Sequence, residues 1–191
     1  HASVVTLLLA DDRVDPNMAS QSGTTALINA ADKGHAPVVT LLLADDRVDP
    51  NMADQKGGTA LFIAAFKGHA SVVTLLLAND RVDPNMADQI GITALMFAAD
   101  HGHASVVTLL LADDRVDPNM ASQEGGTALM IAAQKGHASV VTLLLADERV
   151  DPNMANQNGY TALMWAATKG HASVVTLLLA DDRVDPNMAS Q

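Results

Sequence analysis

Seven histidines are the residues in this chain with the most obvious capacity for chemistry, and six of them are strictly periodic. His1, His35, His69, His103, His137 and His171 lie 34 residues apart. Imidazole is a common metal ligand and a proton carrier near neutral pH. Zinc, however, needs its ligands about 2 Å from a common centre. One histidine per repeating unit puts neighbours roughly 8–10 Å apart, the packing distance of adjacent helices. The chain has no cysteine to complete a thiolate site. No metal is expected, and the periodic histidines read as structural: each follows a glycine, starts a helix and bonds backbone close by. His101 stands outside the period and is expected to touch a partner.

A second recurring group gathers oxygens. Asp45, Asp46, Asp49 and Asn51, with their copies, could suggest calcium. The run lacks the spacing, the glycine and the distal glutamate of an EF-hand loop. Turn building explains it better, with Arg47 and its copies pairing with the acids at a small gain. No phosphate loop, nucleophile–base pair or paired-carboxylate cleft occurs. An enzyme needs differentiated residues gathered at one place, whereas the polar residues here recur identically. Neither catalysis nor a cofactor is expected.

The elements that carry these residues follow from the period. A leading half-unit, 1–17, is followed by five units at 18–51, 52–85, 86–119, 120–153 and 154–187, with a trailing turn at 188–191. In the second unit, Asp49-Pro50-Asn51 is turn chemistry, and Gly57 permits a tight turn with positive φ. Thr59 is placed to cap a helix over Ala60 to Lys67, which Gly68 closes. A second helix should run from Ala70 to about Asn79, with Val72, Val73, Leu75, Leu76 and Leu77 as its apolar face. One such hairpin cannot bury that face alone, so the units must stack into an all-α solenoid. The apolar runs fall far short of the roughly 18 residues that a membrane-spanning helix needs, and nothing resembles a signal peptide. Localisation is left open.

The wording resembles the ankyrin repeat family across essentially the whole chain. Gly57, Thr59, Ala60, Leu61, Ala64, Ala65, Gly68 and His69 stand in register with the family pattern, as do Val72, Val73, Leu75, Leu76 and Leu77. The resemblance implies helix–turn–helix repeats with a long β-turn loop, and a concave groove lined by the turns and first helices. There are three departures. Alanine replaces the family's proline (Ala26, Ala60, Ala94, Ala128, Ala162). An apolar residue replaces its histidine (Ile28, Phe62, Met96, Met130, Met164). The unit is 34 residues long instead of 33. The first two remove a preset φ and a capping side chain, so a less rigid start to the first helix is expected.

Comparison among the five units isolates the candidate site. Of the 34 positions, 24 are identical throughout and three barely change, leaving seven that vary. Three of these lie in the turn before the first helix and four on that helix. Ile28, Asp32, Asn29 and Lys33 fall at about 0°, 40°, 100° and 140° around the helix axis, opposite Leu27, Ala30 and Ala31. The resemblance implies that this variable stripe faces the groove, where it is expected to bind the partner. Its apolar members are Ile28, Phe62, Ile63, Phe66, Ile90, Ile92, Met96, Phe97, Met130, Ile131, Tyr160, Met164 and Trp165. Its polar members are Ser22, Thr24, Asn29, Asp32, Lys33, Lys56, Lys67, Asp100, His101, Glu124, Gln134, Lys135, Asn158, Thr168 and Lys169. All five aromatics and all five lysines of the chain belong to the variable stripe. Tryptophan and tyrosine are typical interface anchors. Burial between repeats is the competing reading, strongest for the position of Phe62 and Met96.

Charge divides the same way. The variable lysines and acids cancel, so the net charge of −11 comes from the invariant frame. No basic stripe exists to neutralise phosphates, which argues against a nucleic-acid partner. The expected partner is a protein or peptide with an apolar patch or an amphipathic helix. Exposed frame residues such as Thr40, Ala44 and Ala53 never change while groove positions change freely. That asymmetry suits an engineered or diversified binder, with a fragment of a natural array as the other origin. The different-class alternative is a structural spacer or self-assembling solenoid. The sequence begins and ends inside a repeat without a polar cap, so either caps beyond this sequence or end-to-end stacking is expected.

Overall fold

The computed structural model describes residues 2–188 and contains eleven helices. The half-unit supplies α1 (Ala2–Leu9). The units supply the pairs α2 (Ala26–Asp32) and α3 (Ala36–Leu43), α4 (Ala60–Lys67) and α5 (Ala70–Leu77), and α6 (Ala94–Asp100) and α7 (Ala104–Leu111). Then come α8 (Ala128–Lys135) and α9 (Ala138–Ala146), and finally α10 (Ala162–Lys169) and α11 (Ala172–Leu179). The first helices pack in one row, α2 through α10, and the second helices in another, α1 through α11, with each pair joining the rows. No helix among the described residues is long and apolar enough to cross a membrane. His1 and the last three residues of the trailing turn lie outside the described residues.

Local chemistry accounts for these boundaries. Thr59 Oγ1 accepts a hydrogen bond from Phe62 N at 3.2 Å, and the corresponding threonines cap α2, α6, α8 and α10 in the same way. The threonine satisfies one of the orphan N–H groups at each of these starts, where neither the family's proline nor its histidine is present. Gly68 ends α4 with φ 72°, the left-handed geometry that favours glycine. The second helix of that unit stops at Leu77, two residues before the expected Asn79. Asn79 belongs to the following turn, where Val82 N donates to its carbonyl.

The core is a continuous seam between the two rows. Ala64 and Ala65 of α4 are fully buried, as are Val72, Val73 and Leu76 of α5. The small alanines let first helices approach closely, and the larger residues of the second helices fill the space behind them. Four side chains assigned to the binding stripe pack into this core, and two of them, Phe62 and Met130, also line cavities of the groove. Ile28, Phe62, Met96 and Met130 are buried, Met96 to 1% exposure. They occupy the position where the family carries histidine, and an apolar side chain there packs against the next repeat. Met164 of the last unit is half-buried.

The invariant polar residues bind one repeat to the next. His69 Nε2 lies 3.1 Å from the carbonyl of Asp32 in the preceding unit, and His103, His137 and His171 repeat the contact on Phe66, Asp100 and Gln134. The histidine bonds backbone, as expected, but the backbone belongs to the preceding unit, and the ring makes no cap bond on its own helix. The reason is reach, since the ring projects toward the open carbonyl end of the neighbouring first helix. Asn51 Nδ2 donates to Arg81 O at 2.7 Å while its Oδ1 accepts from Asp83 N at 2.9 Å. Gln55 Nε2 donates to Gln21 O at 2.7 Å. Arg115 donates to the carbonyls of Leu77 and Val82, held in place by a two-pronged pair with Asp113. The guanidinium keeps the Asp113 carboxyl below its ordinary value, mainly through that side-chain hydrogen bond. Among the described residues, no buried side-chain nitrogen or oxygen lacks a hydrogen bond.

Candidate binding groove

Each turn leading into a first helix is shaped by one side chain at its start. Asp54 Oδ1 accepts from the amides of Lys56 and Gly58. Asp88 does the same for Ile90 and Ile92, and Asn156 for Asn158 and Tyr160. Ser20 and Ser122 serve the same purpose with a hydroxyl. This variable position is therefore confined to Ser, Asp and Asn by the turn it must close. Gly57 has φ 88°, and a Cβ there would stand 2.7 Å from Asp88 Cα of the next turn. Stacking that close lets adjacent turns bond directly, as Gln55 N does to Ser22 O at 3.0 Å.

The stacked turns form one wall and the first helices the floor. Ser22, Asn29, Lys33, Lys56, Lys67, Ile90, His101, Glu124, Lys135, Asn158, Thr168 and Lys169 are exposed along it. Thr24, Asp32, Ile63, Phe66, Ile92, Phe97, Asp100, Ile131, Gln134, Tyr160, Met164 and Trp165 are half-buried. Of the seven variable positions, one builds the turn and one is core in all but the last unit, leaving five whose side chains are presented outward.

Two aromatic groups lie in this surface. Phe97 packs against Phe62 with ring centroids 4.6 Å apart and meets Phe66 edge-on at 5.4 Å. His101 continues the series, 4.8 Å from Phe66 and stacked on Phe97 at 5.9 Å. Tyr160 and Trp165 form the second group, with centroids 5.0 Å apart. Such pairs fix the rings in place, so they offer apolar area with little mobility to lose.

Cavities open beside both groups. One, of about 270 Å³, is lined by Gly58, Phe62, Ile63, Phe66 and Phe97, with Asp54, Lys56 and Asp88 at its edge. The other, of about 170 Å³, is lined by Ile92, Gly126, Met130, Ile131, Gln134 and Trp165, with Ser122, Glu124 and Asn156. Gly58 and Gly126 are residues that sequence reasoning left out of the site. The signal was present: Thr24, Ile92 and Tyr160 fill the same position in the other units. Two larger hollows, of about 460 and 500 Å³, lie between second helices. Their lining is almost wholly frame residues, so they carry little repeat-specific chemistry.

Charge on the groove floor is concentrated at the ends of the first helices. Lys33, Lys67, His101, Lys135 and Lys169 occupy one position in successive units. Asp32 pairs with Lys33 at 2.9 Å and with Lys67 at 3.6 Å, and Asp100 with Lys135 at 2.9 Å. The hydrogen bond from Lys33 holds the Asp32 carboxyl below its ordinary value, helped by the charges of Lys33 and Lys67 and opposed by partial burial. Lys67 and Lys169 also lie over the rings of Phe66 and Trp165, at 5.1 and 5.9 Å. Among the described residues, no three metal-ligating side chains converge.

Comparison with known proteins bears on this geometry. Residues 1–88, 34–122 and 95–190 each match the family model described as ankyrin repeats (3 copies). The chain is similar to a solved structure entitled EF0377, an ankyrin repeat protein, at 26% identity and a TM-score of 0.86, over 93% of this chain and 91% of the other. A comparison with curated proteins returned no match.

Proposed function

This chain belongs to the ankyrin repeat family, and we propose that it binds a protein or peptide in the groove between its stacked turns and first helices. Ankyrin repeats generally mediate protein–protein interaction, and the fold is typically an interaction module, not an enzyme. One observation carries the reading to this face. Aromatic and aliphatic side chains at Ile63, Phe66, Phe97, Ile131 and Trp165 are only half-buried, and they border two cavities. Half-buried aromatics beside a cavity have apolar area left to bury, which is the usual make-up of an interface anchor. The partner presents an apolar patch or an amphipathic helix, and no basic tract suited to nucleic acid accompanies it.

The pattern of variation supports a deliberately diversified array. Thr40 bonds only its own helix and Ala44 is exposed, yet both recur unchanged while the groove varies. Affinity capture with mass spectrometry would supply a partner. Alanine at Phe66, Phe97, Tyr160 and Trp165 should then weaken it by about 2 kcal/mol or more in total while the helical signal at 20 °C is retained. Unchanged affinity in the folded variant would refute the groove as the site.

A further inference from the structure

We propose that the groove's occupant is an amphipathic α-helix that seats two apolar side chains about eleven residues apart, one in each cavity, with an acidic stripe facing the lysine row. The proposal rests on the groove reading above and specifies what that groove selects.

The cavities lie at equivalent places two units apart, beside Gly58 and beside Gly126, and Ile92 fills the corresponding place between them. First helices of successive units pack against one another, so two units advance roughly 16–20 Å at the usual interhelical distance. An α-helix rises 1.5 Å per residue and turns 100°, so residues i and about i+11 are roughly 16.5 Å apart and on one face. The groove and such a helix therefore share a repeat distance.

The lysine row decides between a helix and an extended strand. Phe66 and Gln134 line the two cavities, and Lys67 and Lys135 follow them directly. The row thus runs alongside the cavities, offset from them. Asp32 and Asp100 are the acids that pair with it, so positive charge is left over, most plainly at Lys169. A partner must present apolar anchors and acidic groups on adjacent strips of one element. A helix does so, because its faces meet at any angle, whereas a strand sends alternate residues to opposite sides.

The test uses three synthetic 18-residue peptides of alanine-rich, helix-forming sequence, read by fluorescence anisotropy. The first carries leucines at i and i+11 with a flanking glutamate stripe. The second moves the leucines to i and i+7, on the same face but one unit apart. The third keeps the first spacing with lysine in place of glutamate. The first should bind at least about tenfold more tightly than the other two. Gly58→Ile and Gly126→Ile place in each cavity the side chain that the array already carries at Ile92, and each should abolish that advantage without altering the melting temperature. Equal binding of the first two peptides, indifference to cavity filling, or no binding of the first peptide overturns the proposal. If all three bind alike and Phe97→Ala and Trp165→Ala weaken them all, the groove reading stands and this one falls. If those alanines leave the binding of all three unchanged, the groove reading falls as well.

Discussion

Met96 and Phe97 are neighbours on one helix, and the structure gives them opposite duties. Met96 is 1% exposed and lies where α6 meets the adjoining repeats. Replacing it by alanine removes three heavy atoms from a packed seam, leaving a cavity that the flanking helices can only partly close. Methionine-to-alanine changes in such sites cost about 2–5 kcal/mol. For a chain of this size, each kcal/mol shifts the melting temperature by about 2–4 °C, so a fall of roughly 4–20 °C is expected. Phe97→Asn introduces the residue that the first unit carries at Asn29, which is exposed there. That change forfeits the ring contacts with Phe62, Phe66 and His101 but opens no enclosed void. Its cost should stay below about 2 kcal/mol. Urea denaturation followed by circular dichroism compares the pair, with native-state hydrogen exchange to localise the loss, because repeat arrays need not unfold in one step. Partner affinity should show the reverse order, little changed by Met96→Ala and reduced by Phe97→Asn. A stability loss below about 1 kcal/mol for Met96→Ala, or a larger one for Phe97→Asn, would refute the division of this helix into core and groove faces.

Other consequences concern the bonds between repeats. Asn51→Ala deletes two hydrogen bonds to the next turn, those with Arg81 O and Asp83 N. Both groups sit in exposed residues where water can replace the amide, so a loss of about 1–3 kcal/mol is expected in urea denaturation. Gly57→Ala should destabilise by about 2 kcal/mol or more, through left-handed strain and the 2.7 Å approach to Asp88 Cα. Gly58→Ala should be nearly neutral, because its Cβ would meet only side-chain atoms at 3.3 Å or beyond. Asn79 stands where the other units carry aspartate, and Asn79→Asp should give Arg81 a carboxylate partner and raise stability by up to about 1 kcal/mol. The pH profile should follow from the existing pairs. Arg47, Arg115, Arg149 and Arg183 hold Asp45, Asp113, Asp147 and Asp181 below their ordinary values. A carboxyl with a depressed folded value stabilises fully above its unfolded value of about 3.9 and loses that contribution as pH falls further. Thermal melts should therefore show this contribution intact from neutral pH down to about 5 and lost below about 4, and so should the gain from Asn79→Asp.

The solenoid, its helix starts at Thr59 and its copies, the closing glycines, and the division of each unit into frame and variable stripe were all legible in the sequence. They depend on interactions within a few residues and on a 34-residue repetition that makes every unit a control for the others. The same local reading placed the five lysines and the five aromatics on one stripe. It did not separate Ile28 from Asn29, or Met96 from Phe97. Helical angle says which side chains share a face, but burial depends on how the adjoining unit is rotated and displaced, which no local spacing records. The roles of the frame were hidden for a similar reason. His69, Asn51, Gln55 and Arg115 bond groups 30 to 38 residues away, so within one unit they look like turn and surface residues. The two cavities are likewise a property of stacking: a glycine becomes a hole only where neighbouring helices and turns enclose the space its missing side chain leaves. Sequence alone fixed which positions are free to vary, and the tertiary arrangement decided which of those are exposed, because exposure is set by the neighbour and not by the residue.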